Sequence, residues 1–189
     1  MIVVTQNDIN SEIEKGLAVP NRFVLIDYVD KQVNYGRGEK PNFEYCATHN
    51  IPCVDIGRRG GAFAINKGDV GFGCAVPNLN NTIGIQITTA LFEFLKSKGL
   101  DVSINENDVL VDGYKTYGWM SNYYKEHNAL VIMCHFSMSV DLDMIKGVCT
   151  KPMNKTPKGL SEFGIHREEI IELIETTVAK YVRLNNIET

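Results

Sequence analysis

Two stretches of this chain set cationic side chains beside glycines. The first is Arg58-Arg59-Gly60-Gly61-Ala62, entered from the apolar run Cys53-Val54-Asp55-Ile56 and left through Phe63-Ala64-Ile65. Glycine lets main-chain N–H groups approach a ligand with no Cβ in the way. Arginine adds a fixed fork of donors suited to carboxylate or phosphate. Taken alone, these residues also read as a hairpin turn carrying two solvated arginines. The second stretch runs from Asn107 to Gly118; Asp112-Gly113 marks a tight turn, Lys115 follows on the new strand, and Gly118 comes three residues later. Five cysteines (46, 53, 74, 134 and 149) form no C-x-x-C pair and no zinc-type spacing with histidine. They read as reduced thiols and leave room for one reactive cysteine. His49, His127 and His135 each stand alone and read as structural or solvated, with a ligand role for His135 open but unsupported.

The elements that must position these groups follow from periodicity. Ile83, Ile87, Leu91, Phe94 and Leu95 recur on one face of a helix from Thr82 to Lys98, closed by Gly99. A second helix spans His166 to Leu184, and shorter ones are expected at Asn7–Leu17 and Pro41–His49. Strands are expected at Arg22–Val29, Gln32–Tyr35, Cys53–Ile56, Phe63–Ile65, Val70–Val76, Asp101–Ile104 and Asp108–Val111. Tyr114–Tyr124 and Ala129–Val140 read as a long antiparallel pair turning at Lys125–Asn128. Asp141 is the expected cap of a short helix, and Cys149–Ser161 is expected to be a surface loop. The expectation is one α+β domain over residues 1–189, a largely antiparallel mixed sheet flanked by helices, without a C-terminal accessory domain. Of 189 residues, 44% are hydrophobic and 22% charged, ordinary for a globular protein. A net charge of -4 argues against a general nucleic-acid binder, and no apolar run reaches bilayer-spanning length. No leader segment is evident, so a cytoplasmic protein is expected. No metal site is expected.

The second stretch resembles the catalytic domain shared by lipoate–protein ligases, octanoyltransferases and biotin–protein ligases. The ligases show Asn-Asp, a strand, an Asp/Asn-Gly turn, then Lys-Ile-x-Gly; Lys115 and Gly118 take the lysine and glycine places. Tyr35–Glu44 resembles the segment before their ligand loop, Ile51–Ala62 the arginine–glycine loop itself, and Val140-Asp141-Leu142 the Asn-Val-Asp-Leu after their long strand. The resemblance covers roughly Arg22 to Gly164. The present loop is shorter than in the ligases, and the place of a histidine common in the family falls on Ile65 or Asn66.

The resemblance implies a biotin/lipoate ligase-like fold and an enzyme that attaches lipoate or octanoate to a lysine of a carrier domain, of the E2 or H-protein type. ATP with Mg2+ would serve the ligase route through an acyl-adenylate. No P-loop signature is present, so ATP would not be held as in P-loop enzymes. Lys115 would be the central electrostatic group, with Arg58, Arg59, Gly60, Gly61, Ala62, Asn66 and Gly118 as ligand-binding residues. Phe63, Ile65, Phe72 and Val76 are candidate pocket walls that also read as ordinary core. The octanoyltransferases use no ATP and pass the acyl chain through a cysteine thioester beside a lysine; Cys149 lies close to where that cysteine falls. A binding protein without catalysis is the third reading. Biotin transfer ranks lower because the biotin enzymes' Gly-Arg-Gly-Arg-x-Gly loop is not reproduced.

Overall fold

Strands whose residues alternate between two apolar environments must lie in a sheet covered on both sides. The computed structural model describes residues 1–5, 15, 20–56, 61–77, 81–185 and 187. Strands lie at Ile2–Thr5 (β1), Arg22–Asp27 (β2), Gln32–Tyr35 (β3), Cys53–Asp55 (β4), Ala62–Ile65 (β5), Val70–Pro77 (β6), Val102–Asn105 (β7), Asp108–Val111 (β8), Tyr114–Tyr124 (β9) and Ala129–Phe136 (β10). Helices lie at Phe43–Thr48 (α1), Thr82–Ser97 (α2), Leu142–Val148 (α3) and Arg167–Leu184 (α4). The main sheet runs β1-β2-β6-β10-β9-β8-β7, antiparallel except for the β1–β2 edge pair. A smaller sheet, β4-β3-β5, is itself mixed.

The two faces of the main sheet do different work. On one, Phe23, Leu25, Phe72, Cys74, Val76, Ile132 and Phe136 meet Ile83, Ile87, Leu91 and Leu95 of α2. Ile170, Ile174, Val178 and Tyr181 of α4 close the same core. Each such side chain contributes about 1.5–3 kcal/mol on burial. On the other face Val24, Ile26, Ala75 and Val131 pack with Tyr28 and Ile65. The smaller sheet is backed in turn by α1 and α3 through Val33, Cys46, Met144 and Val148. This is an α+β fold with a largely antiparallel mixed sheet flanked by helices. No helix among the described residues is long and apolar enough to cross a membrane.

Several expectations need correction. The β1 edge strand carries no signal beyond four residues of mixed burial, and it was not expected. Strand β10 stops at Phe136 rather than Val140, because the Met138 and Ser139 N–H groups turn to the Asp69 carboxylate at 2.8 and 3.4 Å. The segment after Cys149 is not a freely solvated loop. The Lys115 N–H donates to Thr156 O at 2.9 Å and the Lys158 N–H to Lys115 O at 3.0 Å, while Leu160 is fully buried. The helix expected at Asn7–Leu17 lies outside the described residues, apart from Lys15.

Gly71 sits directly across from Ile26 where β6 pairs with β2, and a Cβ there would meet Tyr28 Cε2 at 2.9 Å and Ile26 Cβ at 3.0 Å. Both neighbours are buried, so they cannot move aside cheaply. Gly71→Ala should therefore lower stability by about 1–3 kcal/mol. Urea unfolding should show the loss as a lower midpoint at unchanged slope.

Candidate functional site

Cross-strand partners share a face of a sheet, and the register here sets one polar row. Asp108, Gly118, His135 and Gly71 lie side by side across β8, β9, β10 and β6. Two residues further along, Met120, Met133 and Gly73 form an apolar row. Both rows face away from the α2–α4 core.

How Lys115 joins this face follows from the turn and a bulge. Asp112 and Gly113 both take positive φ, 50° and 81°, the conformation of a two-residue type I′ hairpin. Beyond the turn Leu110 pairs with Lys115, but Val109 pairs with Tyr117, so β9 carries one extra residue. Thr116 is that residue; it is buried, and its hydroxyl donates to Val109 O at 3.2 Å. In an unbroken strand, residues three apart point to opposite faces. The bulge cancels this and brings Lys115 and Gly118 to the same side. A Cβ on Gly118 would lie 3.2 Å from Lys115 Nζ and 2.7 Å from Asp108 Oδ1. With no Cβ at Gly118, the ends of the Lys115 and Asp108 side chains close over its backbone.

Asp108 is held between two ammonium groups, Lys115 Nζ at 2.9 Å and Lys155 Nζ at 2.7 Å. Two cations around one carboxylate leave an excess of positive charge, partly exposed at Lys115 (41%). A second carboxylate, Asp69, is fully buried. Its Oδ1 accepts from the Met138 and Ser139 N–H groups, and its Oδ2 accepts from the Asn66 N–H at 2.9 Å and lies 3.0 Å from His135 Nε2. Asn66 adds a bond from its side-chain amide to Ser139 O at 3.1 Å.

Helix α3 supplies another wall. Asp141 caps it, accepting from the Met144 N–H at 2.9 Å, and the helix presents Ile145 and, at its C-terminal end, Cys149. Burial, with the nearby Glu39 carboxylate, pushes the Cys149 thiol above its ordinary range. Glu39 also accepts from the Thr150 N–H and hydroxyl and from the Lys151 N–H at 3.1–3.3 Å, anchoring the segment that leads to Lys155.

These walls enclose a cavity of about 370 Å³. Gly61, Ala62, Asn66, Lys115, Gly118 and Cys149, all singled out in the sequence, line it. Arg58, Arg59 and Gly60 lie outside the described residues. Of the candidate walls, Phe63 lines the cavity, Ile65 is buried beneath the main sheet, and Phe72 and Val76 face the opposite, helix-covered side. Their place on alternate positions of β6 dictates this. Asp108, Lys155 and Asp69 were missed as site residues, and His135 stands in the sequence only as an unsupported ligand candidate. Lys155 falls in the segment expected to be a surface loop, and the bulge that makes Asp108 a neighbour of Lys115 has no sequence mark. Among the described residues no group of three or more His, Cys, Asp or Glu could hold a metal ion.

No family model matches the sequence, and no curated protein matches it. Solved structures do share its fold. LipL1 of P. falciparum in complex with lipoate superposes with a TM-score of 0.78 at 14% identity, covering 100% of this chain. This chain spans 63% of the LipL1 chain. Lipoate–protein ligase A bound with ATP gives 0.74 at 16% identity, covering 97% of this chain and 84% of that one. An archaeal structure from Thermoplasma acidophilum, of a bipartite lipoate protein ligase and its E2 lipoyl domain, gives 0.72 at 17%, covering 96% and 82%.

The hydrogen bond from Lys31 Nζ at 2.7 Å and that from the Met144 N–H hold the Asp141 carboxyl below its usual range. A depressed carboxyl contributes stability above its unfolded pKa, about 3.9, and loses it as pH falls through the folded value. Asp141→Ala should cost about 1 kcal/mol at pH 7. The gap between wild type and variant in chemical denaturation should narrow below about pH 4.

Proposed function

We propose that this chain, which has the fold of the lipoate–protein ligases, attaches lipoate or octanoate to a lysine of a lipoyl carrier domain through an acyl-adenylate. The observation that carries this reading is the adjacency, in one cavity, of an apolar row and an excess of positive charge. A medium-length fatty acid is an apolar chain ending in an anion. Its chain would lie along Phe63, Met120 and Met133, and its carboxylate would face Lys115. Burying the methylenes of an eight-carbon chain contributes about 5 kcal/mol, at roughly 0.8 each.

In the first step a carboxylate oxygen bonds to the α-phosphorus of ATP, and pyrophosphate leaves. In the second, the carrier's amine bonds to the acyl carbonyl carbon, and AMP leaves. Both steps build negative charge on oxygen beside Lys115, which suits it as the electrostatic stabiliser. The Gly60 and Gly61 N–H groups and Arg58 or Arg59 would take the phosphate. ATP is a substrate here, and Mg2+ would arrive with its phosphates. Binding of lipoate by LipL1, of ATP by lipoate–protein ligase A, and the archaeal ligase studied with its E2 lipoyl domain support each component in turn.

One observation favours a second reading, an ATP-independent octanoyltransferase: Cys149 and Lys115 line the same cavity. Against it, the thiolate is the nucleophile, and burial with Glu39 disfavours the Cys149 thiolate.

Intact-mass analysis of a lipoyl carrier domain separates the two. With lipoate and Mg-ATP, a lipoyl adduct is expected that falls about 10²–10³-fold in rate with Lys115→Ala and is unchanged with Cys149→Ala. Transfer from octanoyl carrier protein without ATP, abolished by Cys149→Ala, would establish the transferase. No adduct in either reaction, with lipoate still bound by calorimetry, would sink the enzyme reading and leave a binding protein.

A further inference from the structure

Aminolysis of an acyl-adenylate needs a neutral amine, yet a lysine side chain, with an ordinary pKa of about 10.4, is almost wholly protonated at neutral pH. An ammonium has no lone pair, so the step calls for a base. Lys115 is a donor only, Asp108 is engaged by two ammonium groups, and the Cys149 thiol is held protonated. His135 also lines the cavity.

We propose that His135 is a catalytic base, its imidazole oriented by buried Asp69 and taking a proton from the carrier's lysine before that amine attacks the acyl group. The assignment rests on the ligase reading above. Three observations carry it.

First, the tautomer is set. Asp69 receives the Met138, Ser139 and Asn66 N–H groups, so its oxygens serve as acceptors, and the His135 Nε2–H donates to Oδ2 at 3.0 Å. In a neutral ring this leaves Nδ1 with a free lone pair. Second, the ring is fixed between Tyr28, whose centroid lies 5.7 Å away edge-on, and Phe63 at 6.0 Å. The His135 side chain keeps 19% exposure, and it is among the residues lining the cavity. Third, His135 pairs across the sheet with Gly118. The missing side chain at Gly118 leaves its far side to Lys115 Nζ and Asp108. The imidazole and the proposed oxyanion stabiliser thus flank one residue with no side chain.

The step balances as follows. The ε-ammonium gives one proton to His135 Nδ1, and the nitrogen lone pair forms the C–N bond. As the acyl C–O bond to phosphate breaks, AMP leaves with the electron pair. The second N–H proton passes to solvent, and the imidazolium later returns its own proton there.

The test uses His135→Gln, whose amide N–H can still donate to Asp69, in the full chain with lipoate, Mg-ATP and either a lipoyl carrier domain or hydroxylamine. Hydroxylamine is largely unprotonated at neutral pH and intercepts the acyl-adenylate without help from a base. Wild type should give both the lipoyl adduct and the hydroxamate. His135→Gln should lower transfer to the carrier at least about 100-fold more than it lowers hydroxamate formation. Undiminished transfer to the carrier by the variant overturns the assignment. So does an equal loss of both products, which would place His135 in adenylation or in folding. Absence of hydroxamate from wild type overturns the ligase reading instead, and the assignment with it.

Discussion

A carboxylate with no exposed surface is tolerated only where donors replace its lost water. Asp69 meets that demand with three backbone N–H groups and one imidazole, drawn from two places distant in sequence. The Asn66–Asp69 turn between β5 and β6 is thereby joined to the end of β10. That joint ends β10 at Phe136, sends the chain toward α3, and fixes the ring of His135 on the cavity wall. Removing the carboxylate would leave the buried Asn66 and Met138 N–H groups without this partner, so the geometry of the turn, the strand end and the imidazole stand or fall together.

The second constraint is local. One extra residue in β9 decides which way Lys115 points, because side-chain direction in a strand alternates strictly. Thr116 absorbs that residue by burying its hydroxyl against Val109 O. The hairpin before it, with positive φ at both central positions, starts β9 in register with β8 until the bulge shifts it. Turn and bulge together convert a three-residue spacing into a shared face.

Much of the fold was legible because it rests on periodicity. Ile83, Ile87, Leu91 and Leu95 announced α2, and Asp112-Gly113 announced the β8–β9 hairpin; both are local patterns with local causes. The separation of β3, β4 and β5 into a second sheet was not legible, since pairing partners are not encoded in any one strand. The candidate site was half legible. Lys115, Gly118, Gly61 and Asn66 stand in stretches with unusual residue types, whereas Asp108 and His135 became site residues through cross-strand register. His135 sits on a strand between Cys134 and Phe136, where alternation places it opposite the core, but nothing nearby names Asp69 as its partner.

Three glycines, Gly71 and Gly73 on β6 and Gly118 on β9 beyond the intervening β10, weaken the sheet they sit in, since glycine adds no packing and loses the most freedom on folding. Two are compensated from within. Tyr28 and Ile26 occupy the space above Gly71, and Val24 with the Met133 sulfur that above Gly73. Over Gly118 the nearest atoms are instead the Lys115 ammonium and the Asp108 carboxylate, polar groups at the ends of side chains that reach solvent. An apolar neighbour would have to leave its core to admit a ligand, but an ammonium can exchange one anion for another at little cost. Of the three gaps, the one filled by ions is therefore the one that another anion could enter without disturbing a core.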